Sequence, residues 1–140
     1  MTDDLYEKNL EAFLVNKLRI EGWNVLNTVP LGYLKMADLL TWMETSDGFM
    51  HSVSIWELKS DNKHYMSFDT FKQEMKELQN RASFLPSFFN QSLVSIFGNF
   101  VAKRYWENFY DDINKLILPI GNINEINFFD IPLNFKTKVV

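Results

Sequence analysis

Three charged residues sit inside apolar stretches. Asp38 interrupts Met36-Ala37-Asp38-Leu39-Leu40-Thr41-Trp42, and Glu57 and Lys59 close Val53-Ser54-Ile55-Trp56-Glu57-Leu58-Lys59. A charge in such a strand is costly unless it is paired or metal-bound. Two carboxylates with a lysine alongside suit a hard divalent cation that takes oxygen ligands, Mg²⁺ or Mn²⁺. Such a cation binds a phosphate oxygen and lowers the pKa of an attacking water. The lysine would orient that water or stabilise charge at phosphorus. The chemistry expected is phosphodiester hydrolysis. The competing reading is a salt bridge of Lys59 with Asp38 or Glu57 at a solvated strand end.

The elements around these residues must bring them together. Met36–Met43 and Met50–Lys59 read as strands, the second alternating through Val53, Ile55, Trp56 and Leu58. Thr45-Ser46-Asp47-Gly48 between them is a turn signal, so the pair predicts an antiparallel hairpin. Residues equidistant from the turn face each other. The midpoint of positions 38 and 57 falls between Asp47 and Gly48, which sets Asp38 beside Glu57. Lys59, two residues on, shares the face of Glu57.

Residues 4–21 predict an amphipathic helix with Leu10, Phe13, Leu14 and Leu18 apolar and Val15 beside them, stopped at Gly22. Trp23–Val29 predicts a first strand, ended by Pro30 and Gly32. Thr70–Ser83 predicts a second helix, opened by a Thr70–Gln73 capping box, with Phe71, Met75, Leu78 and Ala82 on one face. Leu93–Phe100 predicts a fourth strand and Lys103–Leu116 a third helix; Ile123–Phe129 and Leu133–Val139 predict short strands. The order implies a mixed sheet with helices, an α/β or α+β domain. The 140 residues fit a single domain, 1–140.

Asp38 followed on the next strand by Glu57-Leu58-Lys59, after a glutamate-bearing helix, resembles the PD-(D/E)XK nuclease superfamily. The layout is most similar to small archaeal-type Holliday junction resolvases and related restriction-endonuclease-like nucleases. The resemblance implies a restriction-endonuclease-like mixed central sheet flanked by helices. It implies that Asp38, Glu57 and the backbone carbonyl of Leu58 hold the metal and that Lys59 is the catalytic lysine. Glu11, eleven residues before Gly22-Trp23, matches the helical glutamate that helps hold metal or water. Glu7, one turn earlier on the same face, is the alternative. Gln73 matches a Gln or Lys that members often carry on the following helix; its plain reading is a solvated or capping side chain. The resemblance covers roughly residues 7–83, and Ala37 stands where a proline is expected. Lys63 and His64 read as loop residues in reach of phosphate only as a lesser reading. His51 reads as solvated, and Tyr105, Phe109 and Tyr110 as core.

Composition bounds this picture. With no cysteine, disulfides, thiolate catalysis and zinc–cysteine sites are excluded. Residues 82–102 carry no charge, but Pro86, Gly98 and their serines and asparagines argue for a loop and buried strand rather than a membrane span. The acidic start, without an apolar run, is not a signal peptide, and an intracellular, cytoplasmic protein is expected. Net charge is −4, whereas proteins that grip a nucleic-acid backbone are usually basic. The excess lies in residues 1–60, with nine acids against five bases; residues 61–140 hold nine of each. A bound cation would offset part of it. The expected substrate is DNA, branched or from phage or mobile elements, with a homodimer or a basic protein partner supplying affinity. The alternative is a catalytically weak or inactive nuclease fold used as a nucleic-acid- or protein-binding regulatory module.

Overall fold

The computed structural model describes residues 3–32, 35–59, 68–91, 93, 95–102, 123–130 and 135–139. Helix α1 spans Asp3–Ile20. It ends in a Schellman turn: Gly22 N–H donates to Arg19 O and Trp23 N–H to Leu18 O, both at 3.0 Å. That closure needs a left-handed residue, and Gly22 supplies it at φ 97°. Strands β1 (Asn24–Gly32), β2 (Lys35–Glu44) and β3 (Met50–Lys59) follow. Helices α2 (Phe68–Ala82) and α3 (Leu85–Phe89) precede β4 (Ile96–Ala102), β5 (Ile123–Asp130) and β6 (Phe135–Val139).

The six strands form one sheet in the order of the sequence. β1–β2, β2–β3 and β5–β6 pair antiparallel; β3–β4 and β4–β5 pair parallel. The domain is therefore α+β with a mixed sheet. Each face has its own core. Met75, Leu78 and Ala82 of α2 pack on Leu40, Val53, Ile55 and Phe100. Leu14, Val15 and Leu18 of α1 pack on Leu39, Trp56, Leu58 and Val101. β3 and β4 thus carry core residues on both faces, Val53, Ile55 and Phe100 on one and Trp56, Leu58 and Val101 on the other.

Gly98 fixes how closely α2 approaches the sheet. A Cβ there would lie 3.1 Å from Leu78 Cδ2 and 3.3 Å from Ile123 Cδ1.

Several expectations need correction. β1 runs through Pro30 to Gly32 instead of stopping at Val29. It lies at the edge of the sheet, where a missing N–H is tolerated. α2 begins at Phe68, so Thr70 is inside the helix and is not its cap. Residues 85–89, expected as loop, form α3, and β4 starts at Ile96 rather than Leu93. Phe13 is 58% exposed and not part of the α1 core stripe, being about 100° around the helix from Leu14. The helix expected over Lys103–Leu116, with Tyr105, Phe109 and Tyr110, lies outside the described residues, as do Lys63 and His64. Among the described residues, no helix is long and apolar enough to cross a membrane.

Candidate functional site

The β2–β3 hairpin closes at Glu44 with Met50 and Met43 with His51. From Thr41–Ser54 onward the pairing has shifted by one residue. Trp42 on one strand is set against Ser52 and Val53 on the other, a β-bulge in which Ser52 adopts φ 55°. Without that extra residue the ladder would set Asp38 against Trp56. With it, the pairs run Thr41–Ser54, Leu40–Ile55 and Leu39–Trp56, a register whose next step, past the last pair, matches Asp38 to Glu57. The register that matches the two expected neighbours arises from a bulge and not from symmetry about Asp47 and Gly48.

Leu39–Trp56 is the last pair in this ladder, so β2 and β3 part at Asp38. Asp38 Oδ2 there accepts the backbone N–H of Leu58 at 2.8 Å. The carboxylate takes the donor that a ladder bond would otherwise satisfy. In a strand, the N–H and C=O of one residue point to the same side. The Leu58 carbonyl therefore also points towards β2, at the fork where Asp38 lies.

The same fork is marked on β1. Asn27 pairs with Leu39 and Val29 with Ala37, so Thr28 falls beside Asp38. Thr28 has φ 52°, a costly conformation for a β-branched residue. The inside–outside alternation breaks there. Leu39 belongs to the α1-side core, whereas Val29 and Ala37 belong to the α2-side core. Thr28 Oγ1 donates to Glu11 Oε1 at 3.1 Å, tying α1 to this point.

On the other side, Glu57 is 4% exposed and its Oε2 meets Arg81 Nη1 of α2 at 2.5 Å. Arg81 Nη2 also lies 3.7 Å from Glu77 Oε2, and Gln73 Nε2 donates to Glu77 Oε1 at 3.4 Å. Gln73 itself is exposed. It reaches Glu57 only through this stripe of residues spaced by four along α2. Two contacts therefore tie helices to the sheet on either side of the fork: Glu11 of α1 to Thr28, and Arg81 of α2 to Glu57.

Sequence reasoning missed Arg81. Its signal was available as the 73, 77, 81 spacing that ends in a basic residue at the helix C-terminus. Lys59 pairs with Ala102 in the β3–β4 ladder, and its side chain is outside the described residues, as is that of Glu7. His51 is exposed, with Nδ1 3.0 Å from Ser52 Oγ. Glu11, Asp38 and Glu57 do not converge as one cluster; among the described residues no three acidic or histidine side chains form a metal-holding group. The oxygen donors that the register directs to the fork are the carboxylates of Asp38 and Glu57 and the Leu58 carbonyl. That set fits a cation such as Mg²⁺, which is commonly held by one or two carboxylates and completes its shell with water and phosphate.

Comparison with known proteins finds no matching family model, no matching curated protein and no matching solved structure.

Proposed function

We propose that this chain is a Mg²⁺- or Mn²⁺-dependent deoxyribonuclease with a restriction-endonuclease-like fold. The observation that carries the reading is the fork: Asp38 accepts the Leu58 N–H where β2 leaves β3, one step past the last pair in a register that matches it to Glu57. Asp38, Glu57 and Leu58 O would hold the cation. When bound, it would supply a polarised phosphate oxygen and a more acidic water. Lys59 would orient that water, and Glu11, held by Thr28, would act from the α1 side in fixing Thr28 and the fork. Gln73 would act only indirectly, by ordering Glu77 and Arg81. The acidic net charge makes a homodimer or a basic partner the source of DNA affinity.

One observation favours the alternative, a catalytically silent binding or regulatory module. Glu57 is already neutralised by Arg81, which can serve structure alone. Cleavage of supercoiled, single-stranded and branched DNA in Mg²⁺ and Mn²⁺ separates the two. Activity is expected, with losses of about a hundredfold or more in Asp38→Ala, Glu57→Ala and Lys59→Ala, of the order seen when a preorganised catalytic group is removed. Cleavage left unchanged in the three variants would assign the activity elsewhere.

A further inference from the structure

We propose that a second site, a cavity of about 420 Å³ between α1 and the sheet, binds a nucleobase. The inference does not rest on the nuclease reading, because none of the residues it uses belongs to the fork. The volume lies in the ordinary range for small-ligand sites, roughly 300–1,000 Å³. Its walls include Trp23, Trp56 and Phe97. Its floor is the sheet, and there the residue types are wrong for a plain core. Thr41, Ser54 and Asn99 are 1%, 5% and 6% exposed, on strands that otherwise bury Leu39, Trp56 and Val101 under α1. Buried polar groups cost free energy unless their hydrogen bonds are made.

Ser54 Oγ donates to Ser52 O at 3.3 Å, but the bonds made by Thr41 and Asn99 leave donors over. Trp56 Nε1 donates to Thr41 Oγ1 at 2.9 Å, so the Thr41 hydroxyl hydrogen is not spent on that bond. Asn127 Nδ2 donates to Asn99 Oδ1 at 2.9 Å, which fixes the orientation of the Asn99 amide. Among the described residues, Asn99 Nδ2 donates to no side chain. The floor is uncharged, and the two charged residues of the lining, Lys17 and Glu21 at the rim, neutralise each other at 3.4 Å. Aromatic walls with an uncharged, donor-bearing floor suit a planar, neutral ring that carries carbonyl or ring-nitrogen acceptors. A nucleobase has that chemistry, whether it comes from a free nucleoside or from an unpaired position in a strand.

NMR of the full chain tests this through the side-chain amides of Asn99 and Asn127. The probes are adenosine, guanosine, cytidine and thymidine, a short single-stranded oligonucleotide, and indole as a planar ring without acceptors. Saturable shifts with a nucleoside are expected, weakened at least tenfold in Asn99→Leu and in Asn99→Asp, which keeps the shape but removes the donor. Shifts with nucleosides place the source in free ligand; shifts with the oligonucleotide alone place it in a strand, and both support the site. Should Asn99→Leu fail to fold, Asn99→Asp and the preference of the unaltered chain for nucleoside over indole carry the test. Equal binding of indole, or no shift with any probe, overturns it.

Discussion

Asp38 Oδ2 accepts the Leu58 N–H at 2.8 Å, one residue beyond the last β2–β3 pair. The bond means that Asp38 has a structural duty before any metal arrives. Asp38→Ala removes the acceptor and is expected to cost about 1.5–3 kcal/mol, as for a hydrogen bond to a charged group. Asp38→Asn keeps an acceptor oxygen and is expected to restore most of that loss while still weakening Mn²⁺ binding. Thermal melts with and without Mn²⁺ read both effects. An equal Mn²⁺-induced rise in Tm for wild type and Asp38→Asn would remove Asp38 from the metal site.

Arg81 and a cation would compete for the same Glu57 oxygen. Arg81→Gln is expected to destabilise the metal-free protein by about 2–4 kcal/mol, towards the lower part of the cost of breaking a buried pair because Arg81 keeps 21% of its side chain exposed. The same variant should gain more stability from Mn²⁺ than wild type does. A gain no larger than that of wild type would show that the guanidinium and the metal do not compete.

Trp56 tests the α1-side floor. Its Nε1 has Thr41 Oγ1 as a buried partner at 2.9 Å. Thr41→Val has nearly the same shape but no acceptor, and is expected to cost about 1–3 kcal/mol. Thr41→Ser keeps the oxygen and should cost less in denaturant unfolding. A larger loss in Thr41→Ser than in Thr41→Val would mean that the methyl group, not the hydrogen bond, is what matters there.

Gly98 lies directly beneath Leu78 of α2. A methyl group 3.1 Å from the fully buried Leu78 forces a shift, so Gly98→Ala is expected to destabilise by about 1–3 kcal/mol. The double variant Gly98→Ala with Leu78→Val should recover part of the loss. Additive losses in urea melts would place the strain elsewhere.

Asp47 in the hairpin turn is held below its ordinary pKa, first by the Thr45 hydroxyl and then by backbone N–H groups. Below the unfolded value of about 3.9 the folded turn binds fewer protons than the unfolded chain. Its contribution is therefore present above that value and lost as pH falls through the folded pKa. Thr45→Val should raise the Asp47 pKa in an NMR titration; an unmoved midpoint would give the backbone the leading part.

The hairpin was legible because its strands are long, apolar and alternating, and Met50–Lys59 has the expected limits. Gly22 was legible for a different reason: only a left-handed residue closes that helix end. Asp38 beside Glu57 was reached by counting from the turn, although the count omits the bulge at Ser52. Two half-residue errors, one in the turn centre and one in the ladder, cancelled. A bulge at a serine leaves no mark in hydrophobic periodicity, and neither does a strand fork. Arg81 stayed hidden because α2 was read by its apolar face, and the partner of Glu57 comes from the stripe beside it. The three residues of the 38–57–59 pattern did not reveal that Glu11 would be tied to the sheet by Thr28.

The bulge at Ser52 behaves like a frameshift in the pairing of two strands. Upstream of it, positions on β2 and β3 are read in one phase; downstream, in the other. Deleting Ser52 would regularise the hairpin and leave both acidic positions in phase. Keeping Ser52 but straightening the ladder would invert every side chain from Val53 onward. Trp56 would then lie beside Asp38, and Glu57 would turn to the face of α1. Whether the chain has one acidic fork or two scattered carboxylates is thus decided fifteen or so ångströms away, by a serine that touches neither.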